Sequence, residues 1–279
     1  MAGFDLHTHT TCSDGTTSPE ANVRAALELG LDGLGVTDHD TVAGFERARS
    51  AAEGTPLELV LGTEFSAEHQ GVSVHLLGLW IDPSYEPLSD ELERLRDERL
   101  DRARRTVERF VALGIPVSLD RVLQIAGSAP VARPHVARAV VELGAAADLR
   151  EVFDTWLADG GPAYVEKHAV DPARAVRLLV AAGGVVVLAH PGLYGDRSHS
   201  AGIPEDLVAS MADAGLAGIE VDHPDHGEVA RRRYRDLARA LDLQVTGGSD
   251  YHGPAGGTTL GAETTPRAVV ERLRRWHPA

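Results

Sequence analysis

The chain opens on a short apolar run, Phe4-Asp5-Leu6, and then alternates between strand-like and helix-like patterns. Ser18-Pro19-Glu20 predicts a helix start, with serine as the cap and proline in the first turn; Gly30 predicts its end. Residues 33–37 predict a second strand, 41–53 a second helix and 57–61 a third strand. Residues 65–81 read as a hairpin about Gln70-Gly71, with His75 on the second arm. From Pro87 the texture changes. Leu88, Leu92, Leu95, Ala103, Val107 and Phe110 fall at helical spacing among many Arg and Glu residues, which predicts one long helix with a solvated charged face. Shorter helices are predicted over 119–125, 134–143 and 149–157. No strand-like run interrupts 90–167, so this stretch reads as a helical insertion between two parts of one domain, 1–89 and 168–279. Alternation then resumes: helix 171–179, an all-apolar strand 185–189, helix 204–214, strand 218–221, helix 227–241, strand 243–246 and helix 266–276. Strands separated by helices in this way predict an α/β protein built as a (β/α) barrel.

Active sites of such barrels lie at the carboxyl ends of the strands. The polar residues at those ends are unusual. His7 and His9, two apart on an extended segment, point to the same side, and Asp14 follows in a polar loop. Similar groups recur at His39, Glu64, His190, Asp250 and His252, with His75 on the hairpin beside them. One strand-end histidine is more often a hydrogen-bonded structural residue than a ligand. Recurrence at one end of the barrel changes that balance, and six histidines with three carboxylates are too many ligands for a single ion. Nitrogen and oxygen donors without thiolate suit Zn, Mn or Fe. A multinuclear site of this kind polarises a phosphoryl oxygen, generates hydroxide at neutral pH and clamps the entering and leaving oxygens of a displacement. Asp5 and Asp38 are read as partners behind the ligands or as loop caps. His69, His199, His226 and His277 have no supporting neighbours and are read as surface residues. His223 follows a strand and is read as a loop histidine that can face a substrate.

The composition narrows the setting. At 43% hydrophobic and 25% charged, the 279-residue chain reads as an ordinary globular protein, and it contains no apolar run long enough for a membrane span. Its start enters a strand without a basic segment or apolar signal core, and its one cysteine, Cys12, cannot form an internal disulfide. A cytoplasmic setting is therefore expected, with Cys12 as a small loop-filling residue. The net charge of −15 argues against a broad face for long duplex nucleic acid. It leaves room for a small anionic substrate, because bound divalent ions reverse the sign of the local field.

The motifs Asp5-Leu-His7-Thr-His9-Thr, Thr37-Asp38-His39, Gly62-Thr-Glu64-Phe-Ser, Ala189-His190-Pro191 and Ser249-Asp250-Tyr-His252, in this order across nearly the whole chain, resemble those of the PHP (polymerase and histidinol phosphatase) family of metal-dependent phosphoesterases. The resemblance implies a distorted seven-stranded barrel and a site for three divalent ions. By that likeness His7, His9, Glu64 and Asp250 hold the first. Glu64 bridges to a second completed by His75 and His190, while Asp14, His39 and His252 hold the third. Asp250 would also pass a proton from the attacking water. The insertion resembles that of the branch acting on nucleoside 3′,5′-bisphosphates and short 5′-phosphorylated oligoribonucleotides. This makes Arg133 and Lys167 candidate phosphate contacts, with His135 and His223 as further candidates. The departure is Leu193, where the likeness implies a basic residue; Arg197 is the candidate replacement. The rival expectations are a histidinol-phosphate phosphatase, which uses the same ligands, and a non-catalytic metal-binding or polymerase-associated module.

Overall fold

The computed structural model describes residues 3–127, 129–158, 160–166, 170–193, 202–254 and 256–276. Seven strands form one sheet in chain order: β1 (Phe4–Asp5), β2 (Gly33–Val36), β3 (Glu58–His69), β4 (Val72–Leu79), β5 (Val185–Leu188), β6 (Leu216–Asp222) and β7 (Gln244–Gly247). All neighbours are parallel except β4, which runs antiparallel to both β3 and β5. The sheet curls into a nearly closed barrel. At the seam Phe4 and Thr265 exchange two backbone hydrogen bonds of 2.8 and 2.7 Å, and the Thr265 hydroxyl accepts from Gly247 N–H at 2.8 Å. Thr265 thus fills the gap between β1 and β7.

Helices α1 (Pro19–Glu28) and α2 (Phe45–Ala52) cover β1–β3; α7 (Pro172–Ala181), α8 (Glu205–Asp213), α9 (Glu228–Ala240) and α10 (Arg267–Trp276) cover the remainder. The Ser18 side chain caps α1 by accepting from Ala21 N–H at 3.2 Å, and Gly30 ends it in the left-handed region at φ 68°. Helix α2 begins four residues later than its sequence pattern suggests. Thr41 is occupied instead: its N–H donates to Thr63 Oγ1 at 3.2 Å, and its hydroxyl accepts from Ala43 N–H at 3.2 Å. The third strand also differs from expectation. It does not stop before the hairpin but runs unbroken for 12 residues. Gly62 permits this, because a Cβ there would lie 2.5 Å from the Gly78 carbonyl oxygen of β4.

Side chains alternate across the strands. Val185 and Val187 of β5 and Leu77 and Leu79 of β4 fill the barrel interior with Val60, while Val186, Leu188, Val74 and Leu76 face the covering helices. Following the inward parity upward, Val60 leads to Glu64 on β3. On the reversed β4, Leu79 and Leu77 lead to His75. The apolar floor of the barrel therefore gives way to carboxylate and imidazole groups at one end.

Helix α3 (Glu86–Ala112) serves two cores. Leu88, Leu92 and Leu95 pack into the barrel core, and Ala103, Val107 and Phe110 into a second one. The second core is completed by α4 (Leu119–Ala126), α5 (Arg133–Glu142) and α6 (Leu149–Val152), the last continuing as a π-helical turn Phe153–Leu157. Among the described residues of 90–167 there is no strand. The expected boundary at residue 90 falls inside α3. The charged face of α3 is not wholly solvated as expected, for Arg99 and Arg102 are each only 9% exposed. They extend the stripe Leu88, Leu92, Leu95 at the same 3–4 spacing and so point where the leucines point.

Candidate metal centre

His7 and His9 leave β1 on extended backbone and are fully buried. Five of the six distances among His7 Nε2, His9 Nε2, Glu64 Oε2 and Asp250 Oδ1 are 3.1–3.4 Å. Ligands about 2.0–2.1 Å from a tetrahedral zinc stand about 3.3–3.4 Å apart, so these four atoms have the spacing of a tetrahedral coordination shell. Glu64 Oε2 and Asp250 Oδ1 are buried, and their nearest polar neighbours are imidazole nitrogens, as for atoms that share a cation.

The other oxygen of Glu64 faces a second group. Oε1 lies 2.7 Å from His75 Nδ1 and 2.9 Å from His190 Nε2. A third group gathers on Asp14, with His252 Nε2 at 3.2 Å from Oδ1, His39 Nε2 at 3.8 Å from Oδ2 and His9 Nδ1 at 3.8 Å from Oδ1. His39 stands between groups, its Nδ1 being 3.0 Å from Glu64 Oε2. All nine expected ligands therefore meet in one place.

Charge makes the same point. Burial alone would lower the imidazolium of His7, but Glu220, Asp250 and Glu64 outweigh it and hold it well above the ordinary histidine value. Burial likewise opposes charge on His9, yet Asp250 and Glu64 raise it to about 10. Glu64 lies well below the usual carboxylate range because His39, His75 and His7 overcome its burial. Protons on imidazoles here stand where divalent ions would put positive charge, and the donor set fits such ions.

The ligands are held from behind. Asp5 Oδ1 accepts from Ser249 N–H at 2.9 Å and Oδ2 from Gly261 N–H at 2.8 Å. Asp38 accepts from Thr10 N–H at 2.7 Å and from the Ser13 hydroxyl at 2.6 Å, fixing the loop that carries Asp14. Glu220 on β6 was not foreseen. Its carboxylate takes His7 Nδ1 at 3.1 and 3.2 Å and accepts His190 N–H at 2.9 Å, so one buried group supports ligands of two clusters. The only sequence signal was a lone carboxylate inside an apolar strand. Gly248 must be glycine, since a Cβ there would lie 2.5 Å from His7 Cβ and 2.6 Å from Glu220 Oε1.

The remaining candidates separate. Arg133 lines a cavity of about 150 Å³ with Asp14, His39, His75, Arg99, Arg102 and Phe153. His135 is buried and caps α5, its Nδ1 accepting from Ala132 N–H at 3.0 Å; it does not line that cavity. His223 lies in the loop just after β6, as expected, and is buried at 1% exposed, with Nε2 3.5 Å from Asp250 Oδ2. His226, expected at the surface, is buried: Nδ1 donates to Val221 O at 2.9 Å and Nε2 accepts from Gly192 N–H at 3.0 Å. Lys167, Arg197, His199 and His277 lie outside the described residues. No described helix is long and apolar enough to cross a membrane.

Comparison with known proteins agrees with this geometry. Residues 5–112 match the PHP domain. The chain is 36% identical over 270 residues to the 5'-3' exoribonuclease Rnm of Salmonella typhimurium, covering 96% of this chain and 91% of that protein. It is 34% identical over 263 residues to the 3',5'-nucleoside bisphosphate phosphatase of Chromobacterium violaceum, covering 94% and 91%. A crystal structure from Bifidobacterium adolescentis, described as that of a metal-dependent phosphoesterase, superposes with a TM-score of 0.92 at 34% identity, covering 100% of this chain and 97% of the other. With its barrel, its converging ligands and these relatives, the chain belongs to the PHP family of metal-dependent phosphoesterases.

Proposed function

We propose that the protein hydrolyses phosphate esters of nucleotides: the 3′-phosphate of nucleoside 3′,5′-bisphosphates, the 5′-terminal linkage of short 5′-phosphorylated oligoribonucleotides, or both. The carrying observation is Glu64. One of its oxygens faces His7, His9 and His39 and the other faces His75 and His190, the arrangement of a carboxylate shared by neighbouring cations. Two relatives that match more than nine-tenths of the chain are named a 5'-3' exoribonuclease and a 3',5'-nucleoside bisphosphate phosphatase.

Three divalent ions, drawn from Mn, Fe and Zn, fit the three groups: His7, His9, Glu64 and Asp250; Glu64, His75 and His190; Asp14, His39 and His252. When bound, such ions supply a nucleophile at neutral pH and Lewis-acid stabilisation of the phosphoryl oxygens. The chain's own residues do the remainder. Asp250 Oδ1 faces the first group, while Oδ2 faces His223 Nε2, so the carboxylate is oriented to accept the proton of the attacking water. The ester P–O bond breaks in line, and the leaving alcohol oxygen takes up a proton. Arg133 stands on the insertion side of the cavity, where it can meet a phosphate.

The test is a side-by-side assay of the manganese-loaded protein on adenosine 3′,5′-bisphosphate, a 5′-phosphorylated oligoribonucleotide and histidinol phosphate. Nucleotide turnover should dominate, and Asp250→Asn should lower kcat by roughly 100- to 10,000-fold. Preference for histidinol phosphate would overturn the substrate class, and undiminished turnover in the variant would remove the proton role.

A further inference from the structure

From Leu216 to Val221, β6 carries one polar side chain, Glu220. Ile219 and Val221 on either side face the covering helices, so Glu220 points into the barrel, where it is fully buried. A buried carboxylate is unfavourable unless its oxygens find donors. Both oxygens of Glu220 are used. Oε1 and Oε2 lie 3.1 and 3.2 Å from His7 Nδ1, and Oε2 also accepts His190 N–H at 2.9 Å. His7 turns its other nitrogen, Nε2, to Glu64 Oε2 and Asp250 Oδ1, while His190 turns Nε2 to Glu64 Oε1. Glu220 therefore joins from behind the two groups that Glu64 joins in front. Among the described residues no hydrogen bond or ion pair links it to Asp14, His39 or His252.

One carboxylate plane thus sets two things, the ring of His7 and the backbone of His190. The second needs holding, because φ 25° disfavours a non-glycine residue. The two rings also stack, with centroids 5.3 Å apart and planes at 18°. Glu220 has little room to turn, since the backbone at Gly248 packs so closely that a Cβ there would lie 2.6 Å from Oε1. With His7 Nε2 occupied, the ring proton sits on Nδ1 and is donated to Glu220, which holds the carboxylate in the orientation that receives His190 N–H. We propose that Glu220 is a positioning residue that couples the first two ligand groups: filling His7, His9, Glu64 and Asp250 prepares Glu64, His75 and His190, and the reverse. Such coupling is reciprocal. It rests on the three-ion reading above and adds to it an order of filling, with the group on Asp14, His39 and His252 outside the reach of Glu220.

The experiment follows manganese release from wild type, Glu220→Gln and Glu220→Asp over graded chelator by native mass spectrometry, which counts the ions on each molecule. Wild type should lose two ions in one step, with few molecules holding only one of that pair. Whichever way the amide of E220Q turns, its NH2 faces a donor, His7 Nδ1–H or His190 N–H. E220D keeps the charge but is one methylene too short to meet both donors. In each variant the factor by which one ion of the pair favours the other should fall roughly 10- to 100-fold, and the remaining ion should leave at the wild-type chelator concentration. A merely structural lesion would lower the melting temperature of the metal-free protein and weaken all the ions alike, leaving that factor unchanged. An unchanged factor in the variants, or wild type that sheds its ions singly, overturns the coupling and leaves the three-ion reading standing. If E220Q does not fold, E220D is read on the same scale. Wild type that holds fewer than two ions at saturating manganese overturns the metal reading itself, and the coupling with it.

Discussion

His135 shows how one residue's chemistry depends on its neighbours. At the third position of α5 its Nδ1 accepts the Ala132 N–H, which requires that nitrogen to be unprotonated. Burial lowers its pKa from 6.5 to about 4. Between those values the unfolded chain takes up a proton that the folded chain refuses. Stability is therefore present above about pH 6.5 and is lost as pH falls toward 4. From pH 7 to 5 this one group should cost on the order of 2 kcal/mol. Glutamine at this position can make the same cap without titrating. His135→Gln should therefore match wild type at pH 7 in urea denaturation and lose less stability at pH 5. An equal loss in both proteins would show that the titration lies elsewhere.

Among the elements, the segment after β5 is the most tightly specified. His190 adopts φ 25°, a left-handed conformation that disfavours a non-glycine residue, and Asp250 at φ 49° does likewise after β7. Surrounding contacts hold the first. Glu220 accepts His190 N–H, His226 accepts Gly192 N–H, and the Tyr234 hydroxyl of α9 lies 3.0 Å from Pro191 O and 3.2 Å from Ile203 O. His226 and Tyr234 thus brace the Pro191-Gly192 turn, and through it the position of His190 against Glu64. Tyr234→Phe and His226→Phe should weaken the affinity of one ion roughly 10- to 100-fold while the others stay bound, measured as metal content after dialysis against graded chelator. Full metal retention in folded variants would reduce the brace to ordinary packing.

For the molecule as a whole, folding gathers Glu64, Asp14 and Asp250 within one site although the chain carries a net charge of −15. Ions that bind only the folded state stabilise it by mass action, about 2.7 kcal/mol at 100 times Kd. Chelation should abolish turnover and lower the melting temperature by roughly 5–10 °C. Manganese should restore both in wild type but not in Glu64→Gln, where two ligand groups lose their shared carboxylate. Unchanged melting after complete metal removal would mean that the histidines are already compensated by protons alone.

The division between sequence and tertiary structure follows from the range of the interactions concerned. Period-2 and period-3.6 patterns, proline and glycine punctuation and the serine cap of α1 are local, so most strands and helices were legible before folding. The convergence of the nine candidate ligands was legible as well, because strand ends converge in a barrel and His7-x-His9 and Asp250-x-His252 are short motifs. Burial and pairing are not local. Glu220 looked like one carboxylate in a strand until β6 brought it beneath His7 and His190, and His226 looked like a loop residue until Gly192 and Val221 enclosed it. Arg99 and Arg102 carried the charge of a solvated helix face. Only the packing of α3 across two cores turned them toward the ligands, where the charge of a side chain is decided by what surrounds it.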